Sequence, residues 1–117
     1  MDWKNIDAAI EDLSLLKHPF YQAWTAGALT KEDLKSYAVE YYHLERNFPR
    51  LVSRVHSICA DTDTRRLLVE NLVDEEMGAE NHRELWLRFA EGLGLTREEV
   101  IGSEPSPKTR AAFETLF

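Results

Sequence analysis

The sequence predicts an all-α protein, a helical bundle. Apolar residues recur at spacings of three and four almost throughout, the period that keeps one helix face turned to a core. No alternating strand pattern of useful length, internal repeat or low-complexity segment occurs. Between the periodic stretches stand recognisable helix starts ("TKED", "TREE", "SP") and stops ("AG", "GLGL").

Taken in order, Trp3, Ile6, Ile10, Leu13 and Leu16 mark a first helix expected to end near His18 and Pro19. "PFYQAWTAG" is a short helix with proline in its first turn and Gly27 at its stop. Thr30 caps a third helix through about Phe48, with Leu34, Tyr37, Ala38, Tyr41 and Leu44 as its apolar face. Pro49 is expected to break or kink it before "RLVSRVHSICA" resumes the period. "DTDT" caps a long helix expected from about Thr64 to Glu91, which Gly92 or Gly94 ends. A capping box at Thr96–Glu99 starts a short helix, "SEPSP" is a loop, and Ser106 with Pro107 opens the last helix.

At 117 residues the chain reads as a single domain, residues 1–117. Its net charge of -7 argues against a nucleic-acid partner, which needs a basic surface for phosphates. No apolar run approaches the ~20 residues that span a bilayer, and no N-terminal export signal is seen, so no membrane partner is expected. The one cysteine, Cys59, forms no disulfide framework and fits the cytoplasm. "KTRAAFETLF" stops in mid-pattern at Phe117. The expectation is that the chain is the first half of a bundle, or that a second copy completes it.

The most informative stretch is "DEEMGAENHRELW", residues 74–86. Positions 68, 72, 75, 79, 82 and 86 are spaced 4-3-4-3-4, which places Glu75 and His82 on one stripe with Leu68, Leu72, Ala79 and Trp86. A core-facing carboxylate must be neutralised, paired or bound to a cation. Two turns of helix put the glutamate and the imidazole on the same side, where both can reach one metal ion. The competing account pairs Glu75 with a nearby arginine and leaves His82 as a hydrogen-bonded histidine. Gly78 between them costs about 1 kcal/mol against alanine in a helix, and suggests close approach of another backbone or a local bulge.

Other residues invite weaker readings. Glu40 and His43 have the Glu-x-x-His spacing of di-iron bundles, yet read better as a solvated or tyrosine-bonded pair. Tyr21, Tyr37, Tyr41 and Tyr42 cluster with Phe20 and Trp24, as bundle cores do. His18 reads as a turn or cap residue, His56 as a half-buried core histidine and Cys59 as a small buried hydrophobe.

"HPFYQAWTAGALTKEDLKSYAVEYYH", "FPRLVSRVHS", "LLVENLVDEEMGAENHRELWLRFAEGLGLTREEV" and "EPSP" resemble the N-terminal half of the chlamydial protein associating with death domains and its bacterial relatives. These are similar to pyrroloquinoline-quinone biosynthesis protein C and belong to the haem-oxygenase-like helical bundles. The resemblance implies a seven-helix bundle around a two-metal site that activates molecular oxygen, with iron, or manganese and iron, as cofactor. It implies Glu75 and His82 as metal ligands. The family's second half supplies a further glutamate and a His-Asp-His group absent from this sequence, so the full metal complement is expected only in a complete protein and little or none on this chain alone. The resemblance also implies p-aminobenzoate synthesis in which a protein tyrosine is consumed as ring source. The tyrosine of "HPFYQAW", Tyr21, takes that catalytic place.

The sequence therefore reads as a metal-dependent oxidase or oxygenase of cofactor biosynthesis. The alternatives are a non-catalytic helical interaction protein and a quinone-precursor oxidase without metal. Apolar stripes left uncovered by a half-bundle predict a homodimer.

Overall fold

The computed structural model describes residues 2–117, all of whose regular elements are helical. They are α1 (Trp3–Asp12), a 3₁₀ turn (Leu15–Lys17), α2 (Pro19–Thr25), α3 (Lys31–Ile58), α4 (Thr62–Glu76), α5 (His82–Gly92), α6 (Arg97–Ile101) and α7 (Pro107–Leu116). The all-α expectation is met. Among the described residues no helix is long and apolar enough to cross a membrane.

The chain divides into two compact units, one running through Asp33 and the other from Leu34 to Phe117. In the first, Asp2 caps α1, which stops at Asp12 rather than near His18. Ser14 caps the 3₁₀ turn, and His18 caps α2 by accepting the Phe20 N–H at Nδ1, 3.1 Å away. Leu13 and Leu16, expected on the first helix's buried face, are 81% and 78% exposed and lie outside α1. Gly27 ends α2 at φ 68°, with Ala28 N–H reaching Ala23 C=O at 2.8 Å and Gly27 N–H reaching Trp24 C=O at 3.0 Å. That pair of bonds is the Schellman stop, which requires a left-handed residue.

The second unit is built on α3, which continues through Pro49 instead of ending there. Its buried residues are Ala38, Tyr42, His43, Pro49 and Val52; of the expected face Ala38 is buried, while Leu34, Tyr37, Tyr41 and Leu44 are half-buried. Ala38 and Tyr42 pack with Leu87, Ala90 and Val100 from α5 and α6 to form the core. Trp86 closes its edge: Nε1–H donates to Ala38 C=O at 2.8 Å, and the ring lies 4.7 Å from Tyr41 and 5.0 Å from Phe89. α5 ends in a second Schellman stop at Gly94, φ 93°, and α6 starts in the expected capping box.

One expectation fails where it matters most. The helix read as continuous from Thr64 to Glu91 is broken between α4 and α5. Gly78 has φ 79°, which no helix interior tolerates, and Asn81 then caps α5 by accepting Glu84 N–H at 2.9 Å. Gly78 approaches no other backbone, since an added Cβ would meet nothing within 4 Å. It is a turn glycine. Gly78→Ala should therefore act through backbone strain alone and lower the unfolding free energy by ~1–2 kcal/mol in chemical denaturation. An unchanged midpoint would mean that the turn relaxes freely.

Candidate metal centre

The break after α4 repositions the two residues of interest. Glu75 lies in the last turn of α4 and His82 is the first residue of α5. They do not share one face of a continuous helix. They meet across the 77–81 turn, which brings the start of α5 against the end of α4. His82 Nδ1 lies 2.7 Å from Glu75 Oε1. Ala79, expected on the same stripe, is exposed on the turn.

Glu75 is 4% exposed, and its second oxygen, Oε2, is buried with no hydrogen-bond partner. A buried carboxylate oxygen left in this way is costly, and native structures seldom keep one without an ion or water. His82 is half open, so the group can be reached from one side. The positive end of α5 at His82 further favours the carboxylate in front of it.

A third residue joins them from α3. Glu45 Oε1 is 4.0 Å from His82 Nδ1, and one donor atom each from Glu45, Glu75 and His82 falls within 4.8 Å of the other two. Burial and the adjacent Glu75 charge push the Glu45 carboxyl above its ordinary value, with the His82 ring opposing. The sequence reading missed Glu45. Its signal was the run 38, 42, 45, 49, 52, spaced 4-3-4-3 like the stripe that exposed Glu75.

The arginine account of Glu75 finds no support among the described residues. Arg88 bonds Glu80 and Glu84, and Arg97 makes paired 2.7 Å bonds to both oxygens of Glu84 while also holding Glu91. Those bonds hold the Glu84 carboxyl down at about 2.

Two acidic oxygens and an imidazole form a donor set suited to iron or manganese. Donors about 2.1 Å from one ion stand about 3.0 Å apart at a right angle and at most about 4.2 Å apart. The separations of 2.7 and 4.0 Å from His82 Nδ1 lie near that range, and all three donor atoms fall within 4.8 Å of one another. The three residues fit a metal ion.

Glu40 and His43 do something else. They are neither solvated nor tyrosine-bonded; they hold the C-terminal segment. Glu40 accepts Ser106 N–H at 2.8 Å and the Thr109 hydroxyl, so it anchors the start of α7. His43 is buried and bonds Ser103 Oγ at 2.9 Å, while the Ser103 hydroxyl donates to Val100 C=O. That leaves the Ser103 oxygen as acceptor and assigns the imidazole proton to Nε2. Burial disfavours the Glu40 charge, but the Ser106 and Thr109 bonds outweigh it and hold the carboxyl below its ordinary 4.5. The anchor is thus fully present above pH about 4.5 and lost as the pH falls through the lowered value. Glu40→Ala should destabilise by ~1–3 kcal/mol and flatten the acid limb of stability against pH. An unaltered acid limb would assign that limb to other carboxylates.

Tyr21 lies in α2, half-buried, with its ring 5.5 Å edge-on from Phe20 and its backbone carbonyl accepting from the Thr25 hydroxyl at 3.0 Å. It belongs to the first unit, whereas Glu45, Glu75 and His82 belong to the second. His56 is half-buried, as expected, and Cys59 is half-buried with Sγ 3.6 Å from Asp61 C=O.

Comparison with known proteins adds an independent line. The sequence profile of the TENA/THI-4/PQQC family matches residues 3–117. The chain is 44% identical over 96% of its length to a 4-aminobenzoate synthase of Chlamydia muridarum, covering 48% of that protein. It is 36% identical over 97% of its length to one of Nitrosomonas europaea, covering 50% of it. A pyrroloquinoline-quinone synthase of Ectopseudomonas mendocina is 32% identical over 76% of the chain, with 36% of that protein covered. The chain spans about half the length of the 4-aminobenzoate synthases it matches.

Proposed function

We propose, from the premise that the chain belongs to the TENA/THI-4/PQQC family, that it supplies part of the metal site of a biosynthetic oxidase forming 4-aminobenzoate. The observation that carries the reading is the buried Glu75 carboxylate, one oxygen unpartnered and the other against His82. The 44% identity to a 4-aminobenzoate synthase, against 32% to a pyrroloquinoline-quinone synthase, favours the first product class. Glu75 and His82 would hold the metal, iron or manganese with iron. Bound there, it would supply the redox chemistry that activates molecular oxygen.

The chain's own residues supply the setting. The 2.7 Å contact between His82 Nδ1 and Glu75 Oε1 fixes the orientation of the ring. Burial keeps water from the Glu75 side while the open His82 edge gives access. Tyr21 is the protein residue proposed to provide the aromatic ring. The test is 4-aminobenzoate formation by the complete protein supplied with iron(II), a reductant and oxygen. Product is expected only with metal and oxygen together; equal product without metal would refute the reading.

A second copy of the chain is the partner proposed for the apolar surface. Within the second unit Leu67 and Met77 are 64% and 65% exposed, with Val69 and Val73 also open. Soluble monomers rarely leave such patches bare, and two-fold pairing covers them most simply. Light scattering should give a mass near twice 13.6 kDa. A stable 13.6 kDa particle would contradict it.

A further inference from the structure

We infer that Glu45 is a third protein ligand of the cation held by Glu75 and His82, so that this chain alone binds one divalent first-row transition-metal ion between α3, α4 and α5. The inference rests on the reading of Glu75 and His82 given above and extends it to a residue that the family resemblance did not assign.

Three observations carry it. The first is convergence: residues from three separate helices bring one donor atom each within 4.8 Å of one another. The second is the unpartnered Oε2 of a carboxylate that is 4% exposed. The third is charge. Two carboxylates are crowded together, and among the described residues neither Glu45 nor Glu75 is joined by a lysine or arginine, while Arg88 and Arg97 pair with Glu80, Glu84 and Glu91. A divalent ion satisfies all three at once. It neutralises both acids, takes up the orphaned oxygen and accepts the imidazole nitrogen. Soft thiolate metals are disfavoured by the oxygen-rich set, and Mn²⁺ or Fe²⁺ fits it.

The experiment is titration of the 117-residue chain with Mn²⁺, following the free ion by electron paramagnetic resonance, with melting curves in parallel. One Mn²⁺ per chain is expected. Glu45→Gln should raise Kd at least about tenfold, the loss expected even for an outer-shell partner, while Glu40→Gln leaves it unchanged. Metal-free Glu45→Gln should melt no lower than the unsubstituted chain, because it relieves the crowding with Glu75, yet its gain in Tm on adding Mn²⁺ should shrink. The inference is overturned by Mn²⁺ affinity in Glu45→Gln within about tenfold of the unsubstituted chain. It is equally overturned if metal-free Glu45→Gln melts lower, which would make the residue structural, or if the unsubstituted chain binds no Mn²⁺. Glu75→Ala separates the two levels of the account. If it abolishes binding while Glu45→Gln does not, the Glu75–His82 reading stands without Glu45. If Glu75→Ala and His82→Ala both bind Mn²⁺ normally, that reading falls too.

Discussion

Glu75→Ala in the complete protein is expected to abolish stoichiometric iron binding, measured by metal analysis after desalting. The residue offers the deepest carboxylate of the group, and its unpartnered oxygen is the donor least satisfied by the protein. The effect on stability should divide in an unusual way. Without metal the substitution removes a buried charge that lacks a full set of partners, so the loss of packing is partly offset. With metal the unsubstituted protein gains RT ln(1 + [M]/Kd), about 2.7 kcal/mol at a hundredfold excess over Kd, and the variant forfeits it. A substitution that acted only through packing would lower both states equally. Iron content that does not change would remove Glu75 from the site.

Tyr21→Phe should remove 4-aminobenzoate formation from the complete protein while leaving iron content intact. The ring-to-ring contact with Phe20 survives the change, since only the hydroxyl is lost. Unfolding free energy should therefore shift by no more than ~0.5–1 kcal/mol. That separation of product from fold and metal is what a consumed tyrosine predicts. Normal product yield would assign the chemistry to another tyrosine or to an external substrate.

Local chemistry was largely legible in the sequence. The capping box at Thr96–Glu99, the Ser106–Pro107 start and the glycine stops at Gly27 and Gly94 occur where they were read, because each depends on only a few neighbouring residues. The juxtaposition of Glu75 and His82 was also read, but through the wrong geometry. Seven residues apart on a helix and seven residues apart across a turn both bring side chains together, and the periodic stripe ran straight across the break. The discriminating signal was "GAENHRE": a glycine free to adopt positive φ, then an asparagine three residues before a glutamate, which is a helix start. At Pro49, where a break or a kink was expected, the helix is not broken: α3 runs through the proline to Ile58. Glu40 and His43 could not be placed, because their partners Ser103, Ser106 and Thr109 lie 60 to 69 residues away. Glu45 was findable only by following the Ala38–Tyr42 register instead of the Tyr41 register, a one-position choice that helix periodicity alone does not settle.

The most direct measurement is anomalous diffraction at the iron edge from crystals of the complete protein loaded with iron(II). The account predicts a peak within bonding distance, about 2–2.3 Å, of a Glu75 carboxylate oxygen and a His82 ring nitrogen. Iron bound elsewhere, with Glu75 and His82 still joined only to each other, would contradict it.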